Sequence, residues 1–393
     1  MTHSLLEGVR VLDLGRYTAG PYCAKQFADA GAEVVHVERP GAGDPGRGLG
    51  PMFADADRSE VGAVFAFLNS DKRSATLDFT TRTGAAWLRE LLAWADVLVE
   101  NFAPGTLERH GFGHGEIARV NPALVHVAIT NFGRNGPHRD YRGTSLTLQA
   151  AAGLLDGNGD EEREPLRYPR HLAEYWAGAN AAQSAMVARW HARRTGEGQL
   201  VDVSIVESIA ATYFSLYAAY EYHGALQARG QRDLYETADG QVLVQWQTSV
   251  PWDVFALTFE AEELALDPQL HPPLGMIANS ERFRSTLGAS LRRRASSEWF
   301  ARARELKIPA GMLQSPDEVL ACEHLEARGF FDLATLPGGQ VGRFPGAPYT
   351  VHGEEPRGER RVPGLGADNA VVFGDWLGHT PKELQAARDE GAI

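Results

Sequence analysis

The chain has 393 residues, enough for two to three domains at about 150 residues each, and its 44% hydrophobic and 23% charged residues match an ordinary globular protein. A net charge of −13 argues against a general nucleic-acid binder, which needs a basic face; a polyanionic ligand could bind only where Arg and Lys cluster locally. No run approaches the ~18 to 20 apolar residues of a membrane span, the first residues lack the basic and apolar regions of a signal peptide, and the distant pair Cys23 and Cys322 fits a reducing cytoplasm and offers no thiol metal site.

Val9, Val11, Leu12 and Leu14 form a short apolar strand, Gly15 to Pro21 a turn with two glycines, and Tyr22, Cys23, Phe27 and Ala28 one face of a helix. A second strand follows at residues 32–38, closed by Arg39-Pro40 and a glycine-rich run to Gly50. Trp87, Leu88, Leu91, Leu92 and Ala95 stripe a helix that leads into a strand at residues 97–99, and residues 124–129 make another. Strands alternating with helices predict an α/β fold with a parallel, doubly wound sheet. Residues 172–220 read as helix-rich around one strand-like run at 200–205. Near Gly224 the texture changes, and a hairpin turn at Asp239-Gly240 opens a smaller α+β region. The expected division is a large α/β domain over residues 1–224, a small α+β domain over 225–320, and a segment over 321–393 that ends in a helix from about Pro381.

Several tempting motifs fail on spacing. Gly15-x-x-x-x-Gly20 is not the G-x-G-x-x-G of a dinucleotide fold, and Pro21-Tyr22 replaces the Lys-Ser/Thr of a P-loop. His110 and His114 sit among glycines and read as a solvated loop rather than a helical metal pair. Ser70, Ser74 and Ser204 lack the G-x-S-x-G elbow of a serine hydrolase. The basic residues are more telling: Arg39, Lys72, Arg73 and Arg109 all fall near strand ends, where loops of an open α/β sheet converge on the ligand crevice. Each is either a surface charge or part of a cluster suited to a phosphate-bearing ligand.

At this point the ordered segments Gly8 to Leu14, Ala19-Gly-Pro21, Gly31 to Arg39, Asn69 to Asp78, Val99 to Gly105, Phe132 to Pro137, Thr195 to Asp202, Thr237 to Gly240, His324 to Phe331 and Pro363 to Gly366 resemble the family III CoA-transferases, a group that includes α-methylacyl-CoA racemase. The resemblance runs nearly end to end. It implies a Rossmann-like large domain completed by the C-terminal segment, a small domain inserted between, and two subunits threaded as an interlocked homodimer, with a heteromer as the other arrangement. It also implies coenzyme A or an acyl-CoA as substrate, a small carboxylic acid as its partner in exchange, and no metal, nucleic acid or membrane. The CoA-contacting positions of the family map to Lys72, Arg73, Asn101, Phe102 and Arg109, with Arg39 at the adenosine phosphate end.

Family catalysis rests on an aspartate in an Ala-Asp-x-x-x-Gly setting that attacks the thioester. Here the run is Leu172-Ala-Glu-Tyr-Trp-Ala-Gly178, so Glu174 takes the nucleophile's place. The extra methylene moves the carboxylate by more than ~1 Å, a displacement that can cost ~10²-fold without compensation. The alternative reading of Glu174 is a structural carboxylate paired to Arg170 or His171. Tyr168, His171, Tyr175 and Trp176 either line a substrate pocket or belong to the core. Two further departures stand out: the segment from Gly224 to Asp239 lacks a glycine-rich shielding loop, and Gly143-Thr-Ser145 replaces the Gly-His-Asp turn needed for racemisation. CoA transfer is therefore favoured over racemisation, with a divergent acyl-transfer or isomerase activity, or a non-catalytic CoA-binding subunit, as the alternatives.

Overall fold

The computed structural model describes residues 4–53, 61–160, 162–224, 233–352 and 358–393. Six strands pair in parallel: β1 (Arg10–Asp13), β2 (Glu33–Glu38), β3 (Arg73–Thr76), β4 (Val97–Glu100), β5 (Val125–Thr130) and β6 (Leu200–Ser204). Their spatial order is β3-β2-β1-β4-β5-β6. This is the doubly wound order, and it reverses direction between β1 and β4, so the ligand crevice of such a sheet opens at the carboxyl ends of those two strands.

Helices cover both faces. Val11, Val34, Val97, Val99 and Val127 pack under α1 (Ala19–Asp29), while Leu12, Val35 and Leu98 pack on the opposite side. Helix α2 (Ala63–Asn69) precedes β3, and α3 (Arg82–Trp94) buries Trp87, Leu88, Leu91 and Leu92 against that opposite side. The long helix α4 (Leu172–Thr195) has a stripe of small residues, Ala173, Ala177, Ala181, Ala185, Ala188 and Ala192, that faces the first core. Small side chains let it lie close. A Cβ on Gly178 would stand 2.7 Å from the Ala19 carbonyl oxygen and 3.0 Å from the Tyr22 ring, so only glycine permits this approach of α4 to the start of α1.

The chain divides into two compact units, one of Met1–Asn158, Pro165–Ala228 and Glu326–Ile393, the other of Gly159–Glu164 and Arg229–Leu325. The expected boundary at residue 225, and half of the short connection from Gly224 to Asp239, lie outside the described residues. The second unit holds an antiparallel sheet of β7 (Leu234–Glu236), β8 (Gln241–Val244) and β9 (Ala310–Met312) against Phe255, Phe259, Leu287 and Trp299. In the first unit, β10 (Phe331–Thr335), β11 (Val341–Pro345) and β12 (Arg360–Arg361) pack on Phe65 and Ala66 of α2.

The C-terminal residues seal the edge of the large sheet. The Asp368 carboxylate accepts the Ser74 N–H at 2.9 Å, and the Asn369 side chain accepts the Thr76 N–H at 2.8 Å while donating to the Thr76 hydroxyl. These side chains satisfy donors that an edge strand otherwise offers to another chain.

Beneath the crevice lies a fully buried charge cluster. Asp13, at the end of β1, accepts from Lys72 Nζ at 2.8 Å, His36 Nδ1 at 3.0 Å and the Gly15 N–H at 2.8 Å. Lys72 completes its three donors on the Pro21 carbonyl at 2.8 Å and Asn69 Oδ1 at 2.9 Å. Asp44 Oδ2 lies 3.5 Å from the other His36 nitrogen, and the neighbouring Glu38 takes a two-pronged bond from Arg47 at 2.7 Å. Burial alone would raise the Asp13 carboxyl, but Lys72 and then His36 outweigh it and hold it at about 2. Burial would likewise lower His36, yet Asp13, Asp44 and Glu38 bring it to about 9, so the ring is charged at neutral pH.

A folded-state value of about 9 against an ordinary 6.5 means that the His36 contribution is complete below pH 6.5 and is lost as pH rises through 9. The stake is on the order of 3 kcal/mol. Tm should therefore fall between pH 6.5 and 9.5, and His36→Asn should lower Tm at neutral pH and flatten that decline. Calorimetry showing the same slope in both proteins would exclude His36 as its source.

Candidate active site

The turn after β1 joins two parts of the crevice. On one side, Asn101 at the end of β4 accepts the Arg16 N–H at 2.7 Å and donates to the Arg16 carbonyl at 2.9 Å, stitching the two switch-point loops together. Gly15 and Gly20 meet so closely there that a Cβ on either would lie within 2.8 Å of the other's Cα. Phe102 follows, its N–H held by Glu100 at 2.7 Å. Arg134 in turn bonds Glu100 at 3.3 Å and also Glu108, so the loop that carries Phe102 is anchored from below.

These loops frame a cavity of about 240 Å³. Its floor is Leu14, Val37 and Leu77, and its walls include Arg16, Arg39, Phe79, Phe102, Thr106 and His110. The Arg16 guanidinium lies 4.9 Å from the Phe102 ring centre, and Phe79 stands edge-on to both Phe102 and His110. Glu38 and Asp78 add two carboxylates to the lining, so the apolar floor and aromatic walls suit a flat ring, with the two exposed guanidiniums of Arg16 and Arg39 as the groups able to meet phosphates. Arg109 sits in the short helix Thr106–Arg109 beside the cavity, donating to the Thr106 hydroxyl at 3.1 Å, with its guanidinium otherwise exposed.

The structure thus brings Arg39, Asn101, Phe102 and Arg109 around one crevice. Two of the expected anion ligands are elsewhere. Lys72 is buried with all three ammonium donors used, so none remains for a phosphate. It follows Asp71, which takes a left-handed conformation (φ 62°) in the turn before β3. Arg73, alternating to the other face, lies over the Trp376 ring at 5.1 Å and 3.5 Å from Asp368, against the C-terminal segment. Arg16 and Phe79 escaped the sequence reading, for which a guanidinium inside the Gly15–Gly20 turn was the one available signal, and His110, read as part of a solvated loop, lines the cavity. His114, read as part of a solvated loop, instead opens the helix His114–Val120 and packs its half-buried ring 5.8 Å from that of the buried His126.

On the other side of the turn, Glu174 stands in the first turn of α4, one helical turn before Gly178 and hence on the face that meets Ala19 and Tyr22. Its Oε2 is buried with no hydrogen-bond partner among the described residues. Among the described residues neither Arg170 nor His171 pairs with it, contrary to what a structural carboxylate would require. Tyr175 packs edge-on to Tyr22 at 4.7 Å, and Phe67 stands 6.4 Å from Tyr175. Burial, then Tyr22, then Glu174 push the Tyr175 phenol up to about 12, so it stays neutral beside the carboxylate. No group of three or more His, Cys, Asp or Glu side chains able to hold a metal ion occurs among the described residues.

Residues 6–369 match the profile of CoA-transferase family III. The chain is 31% identical to a succinyl-CoA–D-citramalate CoA-transferase of Chloroflexus aurantiacus, over 96% of both chains. It is 27% identical to a succinate–glutarate CoA-transferase of Agrobacterium fabrum, over 94% of this chain and 95% of the relative. Among solved structures, a CAIB/BAIF family protein from Brucella suis superposes with a TM-score of 0.84 at 26% identity, covering 95% of this chain and all of the other. A match of this length, on a doubly wound fold with its crevice at the switch point, places the chain in CoA-transferase family III, enzymes that transfer CoA groups.

Proposed function

We propose that this enzyme moves CoA between short dicarboxylic acids, with Glu174 as the carboxylate that carries the acyl group. The observation that carries the reading is the buried, unpartnered Oε2 of Glu174 beside the glycine turn. A carboxylate oxygen with no donor among the described residues, beside two neutral phenols, is not tied into a structural pair and is free to react. The relatives named above, which use succinyl-CoA or succinate with D-citramalate or glutarate, support the choice of acids.

In this scheme the adenosine end of CoA occupies the cavity of Phe79, Phe102 and His110, with its phosphates at Arg39, Arg16 and Arg109. The thioester then crosses the Gly15–Gly20 turn to Glu174. The carboxylate attacks the thioester carbonyl and expels CoA as thiolate, giving a mixed anhydride. The thiolate attacks the Glu174 carbonyl and releases the first acid, leaving CoA on the enzyme as a thioester. The acceptor carboxylate repeats both steps in reverse, and Glu174 is regenerated with no net proton transferred. Lys72 serves this site from below, as the buried partner of Asp13.

Incubation with succinyl-CoA followed by mass spectrometry should find an adduct on Glu174. Glu174→Gln should abolish that adduct and lower exchange by about 10⁴-fold or more, since glutamine keeps the shape but cannot attack. Full turnover in this variant would end the nucleophile reading. Arg39→Ala should weaken CoA binding about tenfold, and raising the salt should weaken wild-type binding more than the variant's, because charge-assisted contacts at an exposed site are screened. Equal affinity and equal salt dependence in calorimetric titrations would remove Arg39 from the site.

The protein is further proposed to be a homodimer of the cytoplasm. The helix Phe214–His223 buries none of its residues in the single chain, and Phe214, Tyr217, Tyr220 and Tyr222 are exposed along it. Aromatic faces of this kind favour coverage by another subunit. Both cysteines are free thiols, and no helix of the described residues is long and apolar enough to cross a membrane. Light scattering at micromolar concentration should report a dimer that does not dissociate on dilution; a monomer would contradict the assignment.

A further inference from the structure

Arg134 is tied to three carboxylates at the carboxyl end of the large sheet. It follows β5 and Gly133, which takes the left-handed φ of 86°. Its backbone N–H donates to both carboxylate oxygens of Asp202, on the adjacent β6, at 3.0 and 3.2 Å. The guanidinium divides its donors between two other acids: Nη1 reaches Glu100 Oε1 at 3.3 Å, and Nη2 bonds Glu108.

Both side-chain partners belong to the segment that walls the cavity of Phe79 and Phe102, although Arg134 is not itself part of the lining. The buried Glu100 uses its other oxygen to accept the Phe102 N–H at 2.7 Å. Glu108 lies in the short helix Thr106–Arg109, between the cavity-lining Thr106 and Arg109. One guanidinium therefore bridges both ends of residues 100–108, with Phe102 and Thr106 held between them. A planar guanidinium that bonds two carboxylates through separate nitrogens fixes their separation, which the point charge of a lysine does not.

We infer that Arg134 is a positioning residue for CoA: it sets the spacing of Phe102 and Thr106 and so acts on affinity without touching the ligand or Glu174. This rests on the reading that the adenosine end of CoA occupies this cavity. Without the guanidinium, Glu100 still accepts the Phe102 N–H and faces His126 Nε2 at 3.6 Å, and the backbone bond to Asp202 is kept. The sheet and its buried carboxylate thus stay intact. Glu108 is released, and with it the helix that carries Thr106 and Arg109. The ligand must then order this helix as it binds, a cost that falls on affinity. Once CoA is bound, the chemical step at Glu174 is unchanged.

The test pairs calorimetric titration with CoA and steady-state exchange from succinyl-CoA to glutarate, in the full-length protein. Arg134→Gln should weaken CoA binding about tenfold, as for the loss of one charge-assisted hydrogen bond, and raise the KM for succinyl-CoA in step while kcat holds. Glu108→Gln should do the same, and the double variant should bind no worse than either single one, because all three break one bond. Arg134→Lys should recover part of the affinity. Arg119→Gln, which removes an equal charge from an exposed pair with Glu116 on the next helix, should bind CoA as wild type does. If Arg39→Ala weakens binding and Arg134→Gln does not, this inference alone is overturned. Unchanged affinity in both variants overturns the cavity reading, and this inference with it. A kcat that falls in step with affinity, or equal weakening in the Arg119 variant, overturns it in favour of a general structural or electrostatic role.

Discussion

The Asp13–Lys72–His36 cluster is the constraint on which the rest of the large unit depends. It joins the ends of β1 and β2, the turn before β3, and the start of α1 through the Pro21 carbonyl. Three charges without solvent are costly unless their geometry is complete, and removing one partner of such a set costs about 3–5 kcal/mol. The cluster thus fixes the turn between β1 and α1 as a by-product of its own satisfaction. That turn lies between the cavity lined by Arg16, Phe79 and Phe102 and the start of α4, which carries Glu174.

The stripe of alanines on α4 works with this arrangement. Close approach to α1 is possible because no inward side chain on that stripe exceeds a methyl group, and Gly178 removes even that at the tightest point. Glu174 gains its extra methylene relative to the family's aspartate at the same helix start. The helix position and the side-chain length therefore act on one distance, the reach of the carboxylate toward the glycine turn.

Much of this was legible in the sequence. Alternating strands and helices gave the parallel sheet, because strands covered on both faces read as short β-branched or leucine-containing runs such as residues 97–99 and 124–129. Glu174 could be singled out as a candidate because its setting is local: five residues around it match a motif. Lys72 was misplaced for the opposite reason. Whether a lysine faces solvent or an aspartate 59 positions away leaves no trace in composition or periodicity. The same holds for Arg73 and for the sealing of β3 by Asp368 and Asn369, whose partners lie beyond the reach of any local pattern.

The sealing of β3 has a consequence for how the protein is made. Ser74 bonds to a residue 294 positions downstream, and Thr76 to one 293 positions downstream, so a ribosome has to add most of the chain before this edge is closed. At ~5–20 residues per second, β3 waits on the order of 15 to 60 seconds with its edge donors open. During that interval the nascent unit carries an unpaired sheet margin next to neighbouring polysomes, a time when strand-to-strand mispairing competes with maturation. An edge closed this late exposes the chain to mispairing during synthesis, a hazard separate from how stable the finished molecule is.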